Sequence, residues 1–216
     1  SLFTFNMPGE TIRARMGLVV SNAIVRIQGT KLSHQGPVLI THWGMSGPAV
    51  LKLSAWGARE LANREYAFSI QVNWAGMVNE EEVNALIDRH VHEALRKKVA
   101  NACPLELPKN FWIHLVEKSG IDPNTTWGEL GKKPRNRLVN HLLNDIFEVQ
   151  GKTTFKEEFV TCGGVNLAEV DFKSMQSRIV PGLYFAGEVL DVDGVTGGFN
   201  FQAAWTTGFI SGQLRG

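Results

Sequence analysis

Residues 181–212 read P-G-L-Y-F-A-G-E-V-L-D-V-D-G-V-T-G-G-F-N-F-Q-A-A-W-T-T-G-F-I-S-G, and no other stretch restricts the fold as tightly. Leu183, Tyr184, Phe185 and Ala186 form an apolar run of strand-like composition closed by Gly187. An acidic loop follows, then Gly197 and Gly198, after which the period becomes helical, with Ala204, Gly208 and Gly212 at steps of four on one face. Strand, glycine-rich turn and helix, in that order, aim free backbone N–H groups at an electron-rich ligand atom. Glycines let the ligand approach the backbone, and the first helical turn has unpaired donors at the positive end of its dipole. The small face lets the helix lie close on a sheet.

Composition narrows the class. A chain of 216 residues with 44% hydrophobic content allows one or two domains with a sizeable core. A net charge of +1 gives no general electrostatic case for nucleic acid or an acidic membrane, and no apolar run approaches the roughly 18 residues that span a bilayer. The first ten residues, with Pro8, Gly9 and Glu10 and no basic head, do not read as a signal peptide. Cys103 and Cys162 are far apart, which argues against a disulfide scaffold and predicts a reducing, cytoplasmic setting.

Residues 1–78 are predicted to be mainly strands, around 2–5, 18–20, 23–27 and 37–41, with a turn at 33–36. A helix is expected after Ser46, with Ser46 as N-cap and Pro48 in the first turn. Tyr66, Phe68, Ile70, Val72 and Trp74 alternate onto one face as a half-buried strand. Residues 79–151 read as helices only. The first is capped at Asn79 with its stripe running from Val83 to Val99, and the second starts near Pro108 and stops at Gly120. A short turn is boxed by Thr126 and Glu129, and a third helix carries Leu138, Val139, Leu142, Leu143, Ile146 and Phe147 as far as Gly151. Residues 153–161 are strand-like again, so the helical domain is an insert in a β-rich one.

The run GLYFAGEVLDVDG-TGGFNFQ-AW, with LITHWGMSGP at 39–48 and FVTCGGV at 159–165, resembles the bacterial FAD-dependent oxidoreductases termed BaiN-like or aminoacetone-oxidase-like. That family has a glutathione-reductase-type FAD domain. The resemblance implies an α+β chain with three parts: a β-rich, barrel-like substrate-side domain at 1–78, continued by 152–161; a helical insert at 79–151; and the C-terminal strand-turn-helix piece of the FAD domain at 162–216. The family's N-terminal G-x-G-x-x-G turn is not in these residues, so the expectation is a C-terminal portion whose flavin is gripped by an N-terminal FAD-domain segment as partner. The implied activity is FAD-dependent hydride transfer on a small organic substrate, with NAD(P)H as donor. The expected partners include neither nucleic acid nor membrane. A further expectation is that Phe199, Phe201, Trp205 and Phe209 lack their burial partner, so that the tail dimerises, repacks on its own domain or is left partly disordered.

The resemblance implies cofactor contacts at Gly163, Gly164, Gly187, Glu188, Thr196, Gly197, Gly198, Phe199, Asn200, Phe201 and Gln202. Glu188 would accept hydrogen bonds from ribityl hydroxyls, and the turn at 197–202 would bring backbone N–H groups to the pyrimidine edge of the ring, where reduction builds negative charge. The plain alternative is an ordinary turn capped by Asn200. Calcium at Asp191 and Asp193 fails because Val195 and Gln202 stand where ligands are needed. Cys162 reads as a redox thiol or, more simply, a small buried hydrophobe. Ser46, in G-M-S-G-P, lacks the G-x-S-x-G spacing of a nucleophile elbow, which leaves a serine hydrolase as the weaker alternative to a non-catalytic binding or assembly module. His42 faces either a cleft or the interior. His90 and His92, two apart on a helix, point to different faces, and no metal site is expected. Lys132, Lys133, Arg135 and Arg137 are the one basic cluster, read as a solvated helix start or a nucleotide-phosphate grip.

Overall fold

The structure is a computed structural model that describes residues 2–153, 160–195 and 198–213. Six antiparallel strands build the main sheet: β1 (Phe5–Asn6), β2 (Val19–Ile27), β3 (Ser33–Ile40), β4 (Gly44–Ser46), β5 (Ala67–Asn73) and β6 (Asp145–Gln150). Their order is β1-β4-β3-β2-β5-β6, and the sheet nearly closes on itself. At the closure Asn6 N–H donates to Gly151 O at 3.2 Å, and Phe5 bridges Lys152. The alternation read from the sequence sets its inside. Phe68, Ile70 and Val72 are buried from β5 with Trp74 just beyond its end, and Val25, Ile27, Val38 and Ile40 from β2 and β3.

Two expectations in this sheet change. Ser21 and Asn22 do not break a strand. They bulge within β2, two residues facing the single Pro37 of β3, between the pairs Val20↔Val38 and Ala23↔Gly36. A bulge is where a ladder can tolerate a residue with no N–H. Ser33 to Gly36 are therefore strand rather than turn, and the hairpin bend falls at 28–32, closed by Ile27 N–H to Leu32 O at 3.0 Å. Helix α1 (Pro48–Trp56) packs Ala49, Val50 and Leu53 into the barrel, followed by α2 (Ala58–Asn63). Its N-cap is Gly47, not Ser46, which ends β4.

Helices α3 (Glu80–Ala94), α4 (Lys109–Lys118) and α5 (Lys132–Leu143) form the helical part around Phe111, Trp112 and Trp127. Asn79 caps α3, its side chain accepting from Glu81 N–H at 2.9 Å, and Thr126 Oγ1 donates to Glu129 at 2.7 Å. Helix α3 stops before Leu95, which is exposed, and Val99 is buried from a separate turn. The third helix is shorter than its apolar stripe suggests. It ends at Leu143, and the chain turns at Asn144 into β6, where Phe147 pairs with Ile70. Ile146 and Phe147 continue a spacing of three and four from Leu142 and Leu143, which hides the period of two in which Asp145, Phe147 and Val149 are buried.

Beyond residue 160 the chain has a small core of its own, Val170, Met175 and Leu190. It is built on the hairpin β7 (Val170–Asp171) and β8 (Gln176–Ser177) and on helix α6 (Phe199–Gly212). The strand expected at 183–186 is reduced to a single bridge, Tyr184 to Gln176, flanked by Phe185 N–H to Met175 O at 2.9 Å. A strand needs a ladder, and here only the edge of a two-residue hairpin is within reach. The strand expected at 153–161 lies largely outside the described residues.

Candidate functional site

The loop from Gly187 to Gly194 lies along α6, fastened at two places. Gly187 N–H donates to Thr207 Oγ1 at 2.9 Å, and Thr207 Oγ1 donates back to Ala203 O at 2.7 Å. Thr207 is the buried residue of α6. At the other end the Asn200 amide clamps Gly194, accepting from its N–H at 2.7 Å and donating to its carbonyl at 3.0 Å. Asn200 therefore does not cap the helix. The N-cap is Gly198, in the left-handed region at φ 90°, with no capping side chain. Among the described residues no side chain caps the first-turn amides of Phe199, Asn200 and Phe201, which lie at the positive end of the helix dipole.

Residues 163–165 run parallel to 189–191: Val165 N–H donates to Val189 O at 2.8 Å, and Asp191 N–H to Val165 O at 3.1 Å. Gly164 makes this possible, because a Cβ there would stand 2.6 Å from Val189 O. Gly163, beside it, faces open space, as Gly187 and Gly198 do. Glu188 accepts from Thr161 N–H at 3.5 Å, so its carboxylate sits at the entry of the same crossing. The fold thus gathers Gly163, Gly164, Gly187, Glu188, Gly198, Phe199 and Asn200 along one loop-and-helix unit. Gln202 is turned along α6, donating to Thr206 Oγ1 at 2.9 Å. Thr196 and Gly197 lie outside the described residues.

A residue with no motif to flag it joins this unit to the barrel. Arg59 of α2 holds both carboxylate oxygens of Asp191 and lies beside the Cys162 thiol. Burial, with the Asp193 carboxylate alongside, pushes that thiol up against the opposing pull of Arg59. Cys162 is therefore a protonated thiol and a poor nucleophile. An exposed arginine on a short helix carries no sequence signal of such a contact.

The other candidates separate on contact. His42 is exposed, its ring 4.3 Å from that of Trp43, and its carbonyl accepts from Arg13 Nε at 2.8 Å. His90 Nε2 meets Ala102 O at 3.0 Å while His92 is exposed, so the two do point apart. Arg135 pairs with Asp88 at 2.6 Å and Arg137 donates to Ser119 O at 2.7 Å. Of the basic cluster, Lys132 and Lys133 project at the exposed start of α5. Among the described residues no three His, Cys, Asp or Glu side chains are grouped to hold a metal ion, and no helix is long and apolar enough to cross a membrane.

Comparison with known proteins adds two findings. Residues 1–160 match the family model of the HI0933-like protein barrel and H2TH domain. The ribosomal RNA dihydrouridine synthase of Escherichia coli (strain K12) is 31% identical over 214 residues, 98% of this chain and 50% of its own length. That of Haemophilus influenzae is 31% identical over 209 residues, 96% of this chain and 48% of its own. The 3-dehydro-bile acid delta(4,6)-reductase of Clostridium scindens is 28% identical over 178 residues, 82% of this chain and 43% of its own. The chain thus spans about half the length of the curated relatives it matches.

Proposed function

The chain belongs to the HI0933-like family through its barrel and H2TH domain, a family related to FAD-binding oxidoreductases, and from that premise we propose that the whole protein is an FAD-dependent reductase of conjugated carbon–carbon double bonds. The observation that carries the cofactor reading is the α6 N-terminus: a left-handed glycine, no capping side chain, and glycines at 163 and 164 on the neighbouring crossing. These residues fit a flavin. Amides of the first turn of α6 would face the ring, with open backbone at Gly163, and Glu188 would accept from ribityl hydroxyls. When bound, FAD supplies hydride transfer, fed by a donor such as NAD(P)H. This chain's part is to orient the ring, favour negative charge at its edge through the helix dipole, and frame the substrate with the barrel.

The names of the relatives suggest a common chemistry. Making dihydrouridine saturates a ring double bond conjugated to a carbonyl, and a delta(4,6)-reductase of a 3-dehydro bile acid acts on a conjugated system of the same kind. Hydride adds to the carbon remote from the carbonyl and a proton to its neighbour. Two relatives at 31% identity over nearly all of this chain favour uridine in ribosomal RNA as the substrate. That choice departs from the small-molecule expectation that the resemblance implied and from the no-nucleic-acid expectation drawn from net charge, which is a whole-chain sum and blind to a local cleft.

The test uses the full-length gene product. Purified protein should be yellow, and with NADPH and a ribosomal RNA transcript it should add 2 Da to a uridine in nuclease digests read by mass spectrometry, as reduction by two hydrogens requires. Glu188→Ala should lower the flavin retained after gel filtration by about tenfold, equivalent to one charge-assisted hydrogen bond. A protein that stays colourless after incubation with FAD would sink the cofactor reading. One that reduces a steroid 4,6-dien-3-one but leaves RNA unchanged would sink the substrate reading alone.

A further inference from the structure

Three neighbouring cavities that share lining residues lie along the seam between the barrel and the helices. The largest, about 580 Å³, lies over Arg26, Gln35, Gln71 and Asn73 on the outer face of β2, β3 and β5. The second, about 280 Å³, shares Glu80, Leu143 and Asn144 with it and runs between α3 and α5 past Asn140. The third, about 470 Å³, shares Asn84 and Asn136 with the second and opens at Lys132 and Arg135. Taken together, their linings make a groove surface that follows the 12 residues of α5, ~18 Å of helix, and reaches the sheet.

Its chemistry is specific. Arg26 stands at one end and Lys132 at the other, and Arg26 makes no ion pair among the described residues. Between them the lining carries seven planar amides, several held in place by bonds of their own. Gln71 Nε2 donates to Asn144 Oδ1 at 2.6 Å, Gln35 Nε2 to Asn22 Oδ1 at 2.8 Å, and Asn73 Nδ2 to Met77 O at 2.7 Å. These bonds set the orientation of the amides, so the carbonyl oxygens of Gln35 and Gln71 are fixed acceptors for a ligand. Glu80 is the one carboxylate of the lining. Separated cations with preset amides between them suit a ligand that repeats anionic groups and planar hydrogen-bonding edges. In a duplex those edges are already paired, whereas in a single strand they are open.

Resting on the RNA reading above, we propose that this groove binds a single-stranded segment of RNA flanking the target nucleotide, with phosphates at Arg26 and Lys132 and base edges at Gln35, Gln71 and Asn140. Binding of a fluorescein-labelled 15-nucleotide single-stranded RNA to this chain, followed by anisotropy, tests it. The double variant Arg26→Ala, Lys132→Ala should bind at least tenfold more weakly and lower the slope of log K against log salt by about 1.4, near 0.7 for each phosphate of a single strand that is no longer neutralised. Gln71→Ala should weaken binding with the slope unchanged, Glu80→Gln should tighten it, and the distant Lys173→Ala should do neither. Circular dichroism confirms that each variant is folded. If the unaltered chain binds RNA and the double variant binds it equally well, the groove is wrong and the RNA reading stands. Equal affinity for a fully paired duplex also overturns the groove. If the unaltered chain binds no RNA, the RNA reading fails and the groove falls with it.

Discussion

Asp145 is the charged side chain most completely removed from water at the junction of barrel and helices. It begins β6, yet its partners come from elsewhere in the chain, the residue after β5 and helices α4 and α5: Trp74 Nε1 at 3.0 Å, Lys118 Nζ at 2.5 Å and His141 Nδ1 at 3.6 Å. Asp145→Ala leaves a buried indole N–H and a half-buried ammonium without an acceptor, and should cost about 2–4 kcal/mol, read as a lower urea midpoint. Asp145→Asn keeps an acceptor for Trp74 and should cost less. Close by, burial holds His141 and His114 below the ordinary histidine value of 6.5, with Lys118 adding to the effect on both and Arg15 on His114, against the pull of Asp145. Well above pH 6.5 both histidines are neutral, folded or unfolded. Below it the unfolded chain takes up protons that the folded chain refuses, so stability falls as pH falls from 6.5 toward the lowered folded values. Urea midpoints at pH 7.5 and 5.5 should show that loss, and His114→Gln should reduce it. An unchanged difference in that variant would remove His114 from the account.

At the scale of elements, the sheet was legible wherever alternation was uninterrupted, as in β5, and the helices wherever a cap and a stripe agreed, as at Asn79. It was illegible where two periods overlapped: Ile146 and Phe147 satisfy a helix and a strand equally, and the long-range pairing with β5 settled the choice. The start of α1 shows a different failure. Ser46 has the chemistry of a cap, but the bend from β4 into the helix brings the backbone too close to β3 for a side chain at the cap position. Gly47 has φ 99°, and a Cβ there would meet Pro37 O at 2.8 Å and Leu39 N at 2.9 Å. Gly47→Ala should therefore destabilise by about 2–4 kcal/mol, combining left-handed strain with a backbone clash. Loss of only a few tenths of a kcal/mol would mean that the bend relaxes freely.

For the molecule as a whole, the motif that resembles a flavin-closing turn is assembled locally, through Thr207, Asn200 and Gly164, while its surroundings are thin. Those local partners were only partly readable, because a threonine in mid-helix and an arginine on α2 acquire their roles from tertiary contacts. Helix α6 rests on a core of three buried side chains and turns four aromatic residues outward, Phe199, Phe201, Trp205 and Phe209, each 61% to 70% exposed. Val189, Ile179 and Val180 are exposed on the same C-terminal unit. Each large side chain left in water forgoes about 1.5–3 kcal/mol of burial, and Phe201, Trp205 and Phe209, at steps of four on one face of α6, form an apolar stripe that is a contact surface. In sedimentation velocity, this chain should shift from monomer toward dimer as its concentration rises from micromolar to about 100 μM, where one small interface typically associates. Trp205→Glu with Phe209→Glu should restore the monomer without changing the barrel's unfolding, because neither ring belongs to the main core. A chain that stays monomeric throughout, with bound hydrophobic dye unchanged by the double substitution, would show that these rings are covered within the molecule.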